Sequence, residues 1–247
     1  MMWEALAWAV LLSAGVAIGA TSIGGVLVVP VLTLMLGYDM PSAIAAASLA
    51  FLITGVYALW TSPQGWRGLR GGDPAMLLLA LLGAVLGACV AEAVPPLWVR
   101  RWIGLLALGS GLQTLWRVYQ WTHPSQAAPR PWLRVAEQSV VGAVIGVGSA
   151  LSGTGGPVML MPYLLLTHRP LMQSVAAALV LQLPIGLASS ATHALAGRAQ
   201  LLLSVQIGLV LVAGVWGGRR LARRMPLRGL MAAMACVLIV TGVMLLT

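Results

Sequence analysis

Thr21-Ser22-Ile23-Gly24-Gly25-Val26-Leu27-Val28-Val29-Pro30 and Gly153-Thr154-Gly155-Gly156-Pro157-Val158-Met159-Leu160-Met161-Pro162 are two copies of one polar, glycine-rich interruption in an oily chain. With Pro30 set against Pro162 they lie 132 positions apart, and leucines fall in register behind them (Leu32 with Leu164, Leu34 with Leu166). Paired interruptions at corresponding places in two membrane-embedded halves are the best sequence pointer to a transporter's binding site.

The surroundings of both copies read as membrane. Apolar residues make up 60% of the 247 and charged residues only 8%, against about a quarter charged in a soluble domain. Glycine (29) and proline (14) are plentiful, as suits closely packed and interrupted transmembrane helices. The net charge is +9, and all fourteen basic residues are arginines. They sit between apolar segments rather than along one face, which reads as topology signalling and not as nucleic-acid binding. Met1-Met2-Trp3-Glu4 offers no basic n-region, so the first helix is expected to be retained. Cys89 and Cys236 each fall inside an apolar segment without metal or redox spacing, and packing is their expected role.

Hydrophobic runs give ten segments, at about 3–20, 25–37, 41–60, 75–94, 102–121, 135–151, 156–167, 171–195, 201–217 and 229–247. Most approach the roughly 20 residues that span a bilayer. The runs 25–37 and 156–167, each just after a break, do not. At 1.5 Å per residue they cover about 18–20 Å of a core about 30 Å thick, so they read as half-helices.

Arginine placement decides how the chain is threaded. If each break reverses the chain, with an external N-terminus, Arg67, Arg70, Arg117, Arg130, Arg134, Arg169, Arg219, Arg220, Arg223, Arg224 and Arg228 share one side, and only Arg100, Arg101 and Arg198 the other, an 11 to 3 split. Straight passage through both breaks gives 8 against 6, too even for short loops. The expected fold is therefore an all-α polytopic membrane protein of two inverted repeats. Each repeat has about five helical segments and a glycine-broken hairpin, segments 1–2 and 6–7. Residues 1–121 form the first repeat, 122–134 a cytoplasmic linker marked by Pro124, Pro129 and Pro131, and 135–247 the second repeat.

The breaks suit an anion. A helix N-terminus leaves its first N–H groups unpaired at the positive end of the dipole, and glycine lets the backbone approach a ligand closely. The expected substrate-binding residues are Thr21, Ser22, Gly24 and Gly25 in the first break, and Ser152, Gly153, Thr154, Gly155 and Gly156 in the second. Gln182 is added as an uncharged lining group. The competing reading is that small residues there only permit tight helix packing. Pro30 and Pro162 read as hinges or as static kinks, since each frees a carbonyl. His193, preceded by Ser189, Ser190 and Thr192, reads as a proton-coupling group or as an interfacial histidine. Neither an acidic cluster nor a P-loop is present, so no metal, cofactor or nucleotide is expected.

In both breaks a glycine pair comes some five residues before a proline, which resembles the duplicated signature of the TauE/SafE sulfite exporter family. That signature runs glycine-x-glycine-glycine-glycine, four apolar residues, proline. Ser42-Ala43-Ile44-Ala45-Ala46-Ala47-Ser48-Leu49 resembles the alanine-rich stretch that follows it, with Ala178-Leu179 as the reduced second copy. Thr21 and Ile23 stand where the first copy would have glycine, and Pro157 where the second would. The resemblance implies a multi-pass protein of a bacterial inner membrane that moves sulfite, sulfoacetate or another small sulfur-containing anion. Its partners would be that anion and the lipid bilayer, with small-residue faces that would permit a homodimer. Two other functions are distinguishable. An intramembrane hydrolase using Ser152 with His193 would need the two to form a dyad, and a non-transporting scaffold would leave the duplicated breaks without a purpose.

Overall fold

In lipid every backbone N–H and C=O must be satisfied within its own segment or sheet, so apolar runs of this length fold as helices. The structure, a computed structural model, describes residues 2–21, 24–61, 74–91, 93–122, 135–166, 171–222 and 227–247. Ser22 and almost all of the expected linker lie outside the described residues, as do the side chains of Thr21 and Pro162. The described residues form helices in chain order: α1 (Met2–Thr21), α2 (Gly25–Met35), α3 (Met40–Trp60), α4 (Pro74–Val90), α5 (Pro96–Thr122), α6 (Val135–Ser152), α7 (Pro157–Leu166), α8 (Leu171–Leu195), α9 (Leu201–Ala222) and α10 (Leu227–Leu246). Among them α1, α3, α8 and α9 are long and apolar enough to cross a membrane. The described residues form an all-helical arrangement with several apolar helices, consistent with a polytopic membrane protein.

Helix ends follow local chemistry. α5 begins at Pro96 rather than near 102, because proline is pre-set for a first helical turn and Arg100 and Arg101 can reach outward from it. Asp39 caps α3 by accepting from the Ser42 N–H at 3.1 Å. α2 starts as a 3-10 turn at Gly25–Leu27 and widens to a π turn over Val31–Met35 just after Pro30. Thr33 Oγ1 there donates to Val29 O at 3.1 Å. α8 runs unbroken through Pro184.

Side chains facing away from the bundle are apolar, for instance Leu78, Leu82 and Leu86 on α4 and Val140 and Val144 on α6. Trp3, Trp60 and Trp98 are exposed near helix ends, where indole rings settle at a membrane interface. The Arg101 guanidinium lies 5.6 Å from the Trp98 ring and that of Arg220 3.8 Å from the Trp216 ring. Both cysteines are exposed on this outer surface instead of packed inside, a correction consistent with the apolar character of a thiol.

Two close crossings bind the two halves of the chain. α1 packs on α9 through Gly15 and Gly19 against Gly214 and Gly218, and α4 packs on α6 through Gly83 and Gly87 against Gly142 and Gly146. A Cβ on Gly15 would sit 2.8 Å from Leu211 O, and one on Gly87 2.5 Å from Val147 O. Glycines four apart thus bring backbones into direct contact, where dispersion replaces the absent hydrophobic force. α3 crosses α9 and α8 crosses α4, while α5 pairs with α10 and α3 with α8.

Contacts along these crossings fix direction. Gly15 and Gly19 meet Leu211 and Val215 in the same order, so α1 and α9 are parallel. Ile53 meets Gly208, and Ala58 accepts from Arg219 Nη2 at 2.9 Å, so α3 and α9 are parallel too. α1 and α3 therefore point the same way. Gly24 (φ 157°) tucks against the second half of α1, where a Cβ would meet Ala14 O at 2.7 Å.

Candidate functional site

The two breaks, far apart in sequence, touch in the bundle. A Cβ on Gly25 would lie 3.0 Å from Thr154 O, and one on Gly153 3.0 Å from Val29 Cγ2. Gly24, Gly25, Ser152, Gly153, Thr154, Gly155 and Gly156 are all buried. In the second break Gly153, Gly155 and Gly156 hold φ of 62°, 77° and 96°. Only glycine adopts that sequence of dihedrals without strain. The N–H groups of Gly25, Gly155 and Gly156 make no hydrogen bond to any described residue. Each stands at or just before a helix start, α2 or α7, where orphan donors and the positive dipole end coincide.

Phe51, the only phenylalanine in the chain, joins the breaks. From the middle of α3 its ring reaches both: a Cβ would come within 3.0 Å of Phe51 Cζ at Gly25 and within 2.9 Å of Phe51 Cγ at Gly155. Gln182 Nε2 on α8 donates to the Phe51 carbonyl at 2.7 Å, so Gln182 sits beside the breaks as a positioning group for α3. Ser149, one turn before the end of α6, is 1% exposed and its Oγ has no partner. That hydroxyl lies 4.0 Å from where a Gly156 Cβ would be. Neither Phe51 nor Ser149 was expected from the sequence. A mid-helix phenylalanine gives no signal of its own, and Ser149 could have been found only from its place one turn before the break.

The expected hydroxyls are arranged differently from a free donor set. Ser152 Oγ donates to Gly148 O at 2.8 Å and lies 2.9 Å from Thr154 Oγ1. With the Ser152 proton committed, Thr154 is left to donate to Ser152, and the pair satisfies itself within the break. Pro30 is buried beside the π turn of α2. Pro162 lies on α7.

His193 is 2% exposed on α8, and neither ring nitrogen has a hydrogen-bond partner. It therefore forms no dyad with Ser152. It lines a small cavity with Met40, Pro41, Val94, Pro96 and Arg198. Between this cavity and the breaks, Ser48 Oγ on α3 and Ser189 Oγ on α8 meet at 2.9 Å. Gln182, Ser189 and His193 thus mark a polar seam between α3 and α8.

The model of the family described as Sulfite exporter TauE/SafE matches residues 66–245. No curated protein and no solved structure matches the chain.

Proposed function

The chain belongs to the TauE/SafE sulfite exporter family, a family of membrane transporters, and from that premise we propose that it exports sulfite or a small organosulfonate by alternating access around the paired breaks. The observation that carries this reading is the meeting of the two breaks around Phe51, with the unpaired N–H groups of Gly25, Gly155 and Gly156 beside them. A sulfonate or sulfite oxygen is an acceptor, and backbone donors at helix starts hold such a group without a full positive charge. Ser149 Oγ, buried and unpartnered beside Gly156, adds a neutral donor. Ser152, Gly153, Thr154 and Gln182 shape the site around them, and Pro30 and Pro162 stand where α2 and α7 would bend.

An inverted repeat is the arrangement that fits the packing. Exchanging the two halves maps α1 on α9 onto α6 on α4, and α3 on α9 onto α8 on α4, while the α5–α10 and α3–α8 pairs map onto themselves. The shared direction of α1 and α3 supports five segments per half, an odd number that inverts the second half. In such a carrier one half rocks against the other, and the Phe51 ring in its present place closes the central site. His193 is the candidate for proton coupling, and the host membrane is proposed to be a bacterial inner membrane.

Proteoliposomes carrying the protein test the proposal with a panel of sulfite, sulfonates and carboxylates, each run with and without a proton gradient. Gradient-dependent flux of sulfite or a sulfonate is expected. A protein that moves no sulfur-containing anion would overturn the assignment.

A further inference from the structure

Arg219 and Arg220 are neighbours at the end of α9 and are used in opposite ways. The Arg219 guanidinium turns back onto α3, where Nη2 donates to Ala58 O at 2.9 Å and Nη1 donates to Thr61 Oγ1. It thereby serves the last turn of α3, whose carbonyls lack partners within the helix. Arg220 is exposed. Its guanidinium lies over the Trp216 ring, 3.8 Å from the centroid and one turn away on the same helix. No described residue accepts a hydrogen bond from it. Trp216 is 51% exposed and ends an outward-facing stripe of α9 that includes Leu202, Val205 and Leu209. An indole at the end of a lipid-facing stripe settles at headgroup level, so the guanidinium stacked on it is held at that level too.

A guanidinium stacked on a ring spends its face there and keeps its edge N–H groups, the planar fork that grips phosphate oxygens in pairs. Arg223 and Arg224 follow within four positions and Arg228 within eight, so chain connection alone gathers positive charge near it. The arginine count puts this end of α9 on the cytoplasmic side, with eleven arginines against two acidic residues there, Asp73 and Glu137. The surface potential of that leaflet is negative and attracts such basic segments. We propose that Arg220 and Trp216 form a binding site for the phosphodiester headgroup of an anionic phospholipid in the cytoplasmic leaflet. The phosphate accepts from the open edge of Arg220, and an acyl chain lies along Leu209 and Leu202. Trp216 sets the depth of the guanidinium and holds it ready. Arg101 and Trp98 are a contrasting pair on the arginine-poor side. Their separation is 5.6 Å, and the neighbouring Arg100 is engaged, with Nη2 donating to Met244 O at 3.1 Å.

The site is independent of which anion the chain carries, and lipid binding tests it directly. The full chain in detergent is titrated with phosphatidylglycerol or with phosphatidylcholine of the same acyl chains, and bound lipid is counted by native mass spectrometry. One phosphatidylglycerol should bind about fivefold more tightly than phosphatidylcholine, the advantage of one basic residue at a membrane surface. Arg220→Gln should remove that preference, Trp216→Leu should reduce it, and Arg101→Gln should leave it intact. Both α9 side chains are exposed, so the variants should unfold at the temperature of the unaltered protein. Equal affinity for the two lipids would overturn the site, as would a preference that survives Arg220→Gln or falls equally in Arg101→Gln. Release of the bound lipid by inorganic phosphate would assign Arg220 to free anions instead. A lipid-free dimer lost in Arg220→Gln would assign this face to a second copy of the chain. Either result would also overturn the lipid site.

Discussion

Gln182 on α8 donates its side-chain amide to the main-chain carbonyl of Phe51 on α3, 2.7 Å away and 131 positions distant in sequence. The contact joins α3 and α8 near the middle of each helix. It also fixes the backbone that carries the ring lying between the breaks. Replacing Gln182 by leucine leaves the Phe51 carbonyl dependent on its own helix, at a cost of about 1–3 kcal/mol if it is orphaned. A fall in the midpoint of thermal unfolding in detergent is expected. An unchanged midpoint would show that the bond contributes nothing.

Phe51 fills the space beside Gly25 and Gly155. Phe51→Ala should cost about 3–5 kcal/mol by analogy with other buried phenylalanines. It should also admit water to the breaks. In a background with Cys89 and Cys236 changed to serine, Thr154→Cys should react with a water-soluble thiol reagent much faster when Phe51 is alanine. Equal rates in both backgrounds would mean that the ring does not seal the site.

Glycines at the helix crossings should be far less replaceable than glycines on open faces. Gly15→Ala and Gly87→Ala push a methyl to within 2.8 and 2.5 Å of facing carbonyl oxygens, and each should lower folded yield and unfolding temperature. Gly109, on α5 with nothing within 4 Å of its Cβ position, should gain up to about 1 kcal/mol from alanine through helix propensity. Equal tolerance at all three positions would contradict the close crossings.

Asp39 provides a pH prediction. The Ser42 N–H holds its carboxyl below the usual carboxylate range, and the Arg198 charge acts in the same direction. A depressed carboxyl stabilises the fold above the unfolded value near 4, and that contribution fades as pH falls through the lower folded value. Asp39→Ala should therefore cost about 1 kcal/mol at neutral pH and progressively less in acid, whereas Asp39→Asn should keep most of the cap. Thermal unfolding between pH 3 and pH 7 measures both.

Hydropathy alone located most of the described helices closely, the start of α5 at Pro96 and the end of α9 at Ala222 being the larger departures. Continuous apolar runs in lipid have no alternative to helix, and breaks such as Gly24-Gly25 and Gly155-Gly156 stop them visibly. The arginine count bears on sidedness alone, because loop charge is the signal that orients helices in a membrane. Tertiary partners were less legible. Gly15, Gly83, Gly142 and Gly214 read only as small residues until their facing carbonyls are known. The engagement of Ser152 with Thr154 depends on the left-handed turn at Gly153, and the pairing of Gln182 with Phe51 on a helix crossing that periodicity does not encode. The sequence of α5 misled at its start, because Arg100 and Arg101 interrupt the apolar run without interrupting the helix.

The central claim is that the backbone at the two breaks holds the transported anion. Sulfite flux into proteoliposomes by Gly25→Leu and by Gly156→Ala, beside Gly109→Ala as a folded control, tests it most directly. Flux should fall to the protein-free level in both break variants and persist in the control. Unaltered flux in both break variants would place the site elsewhere.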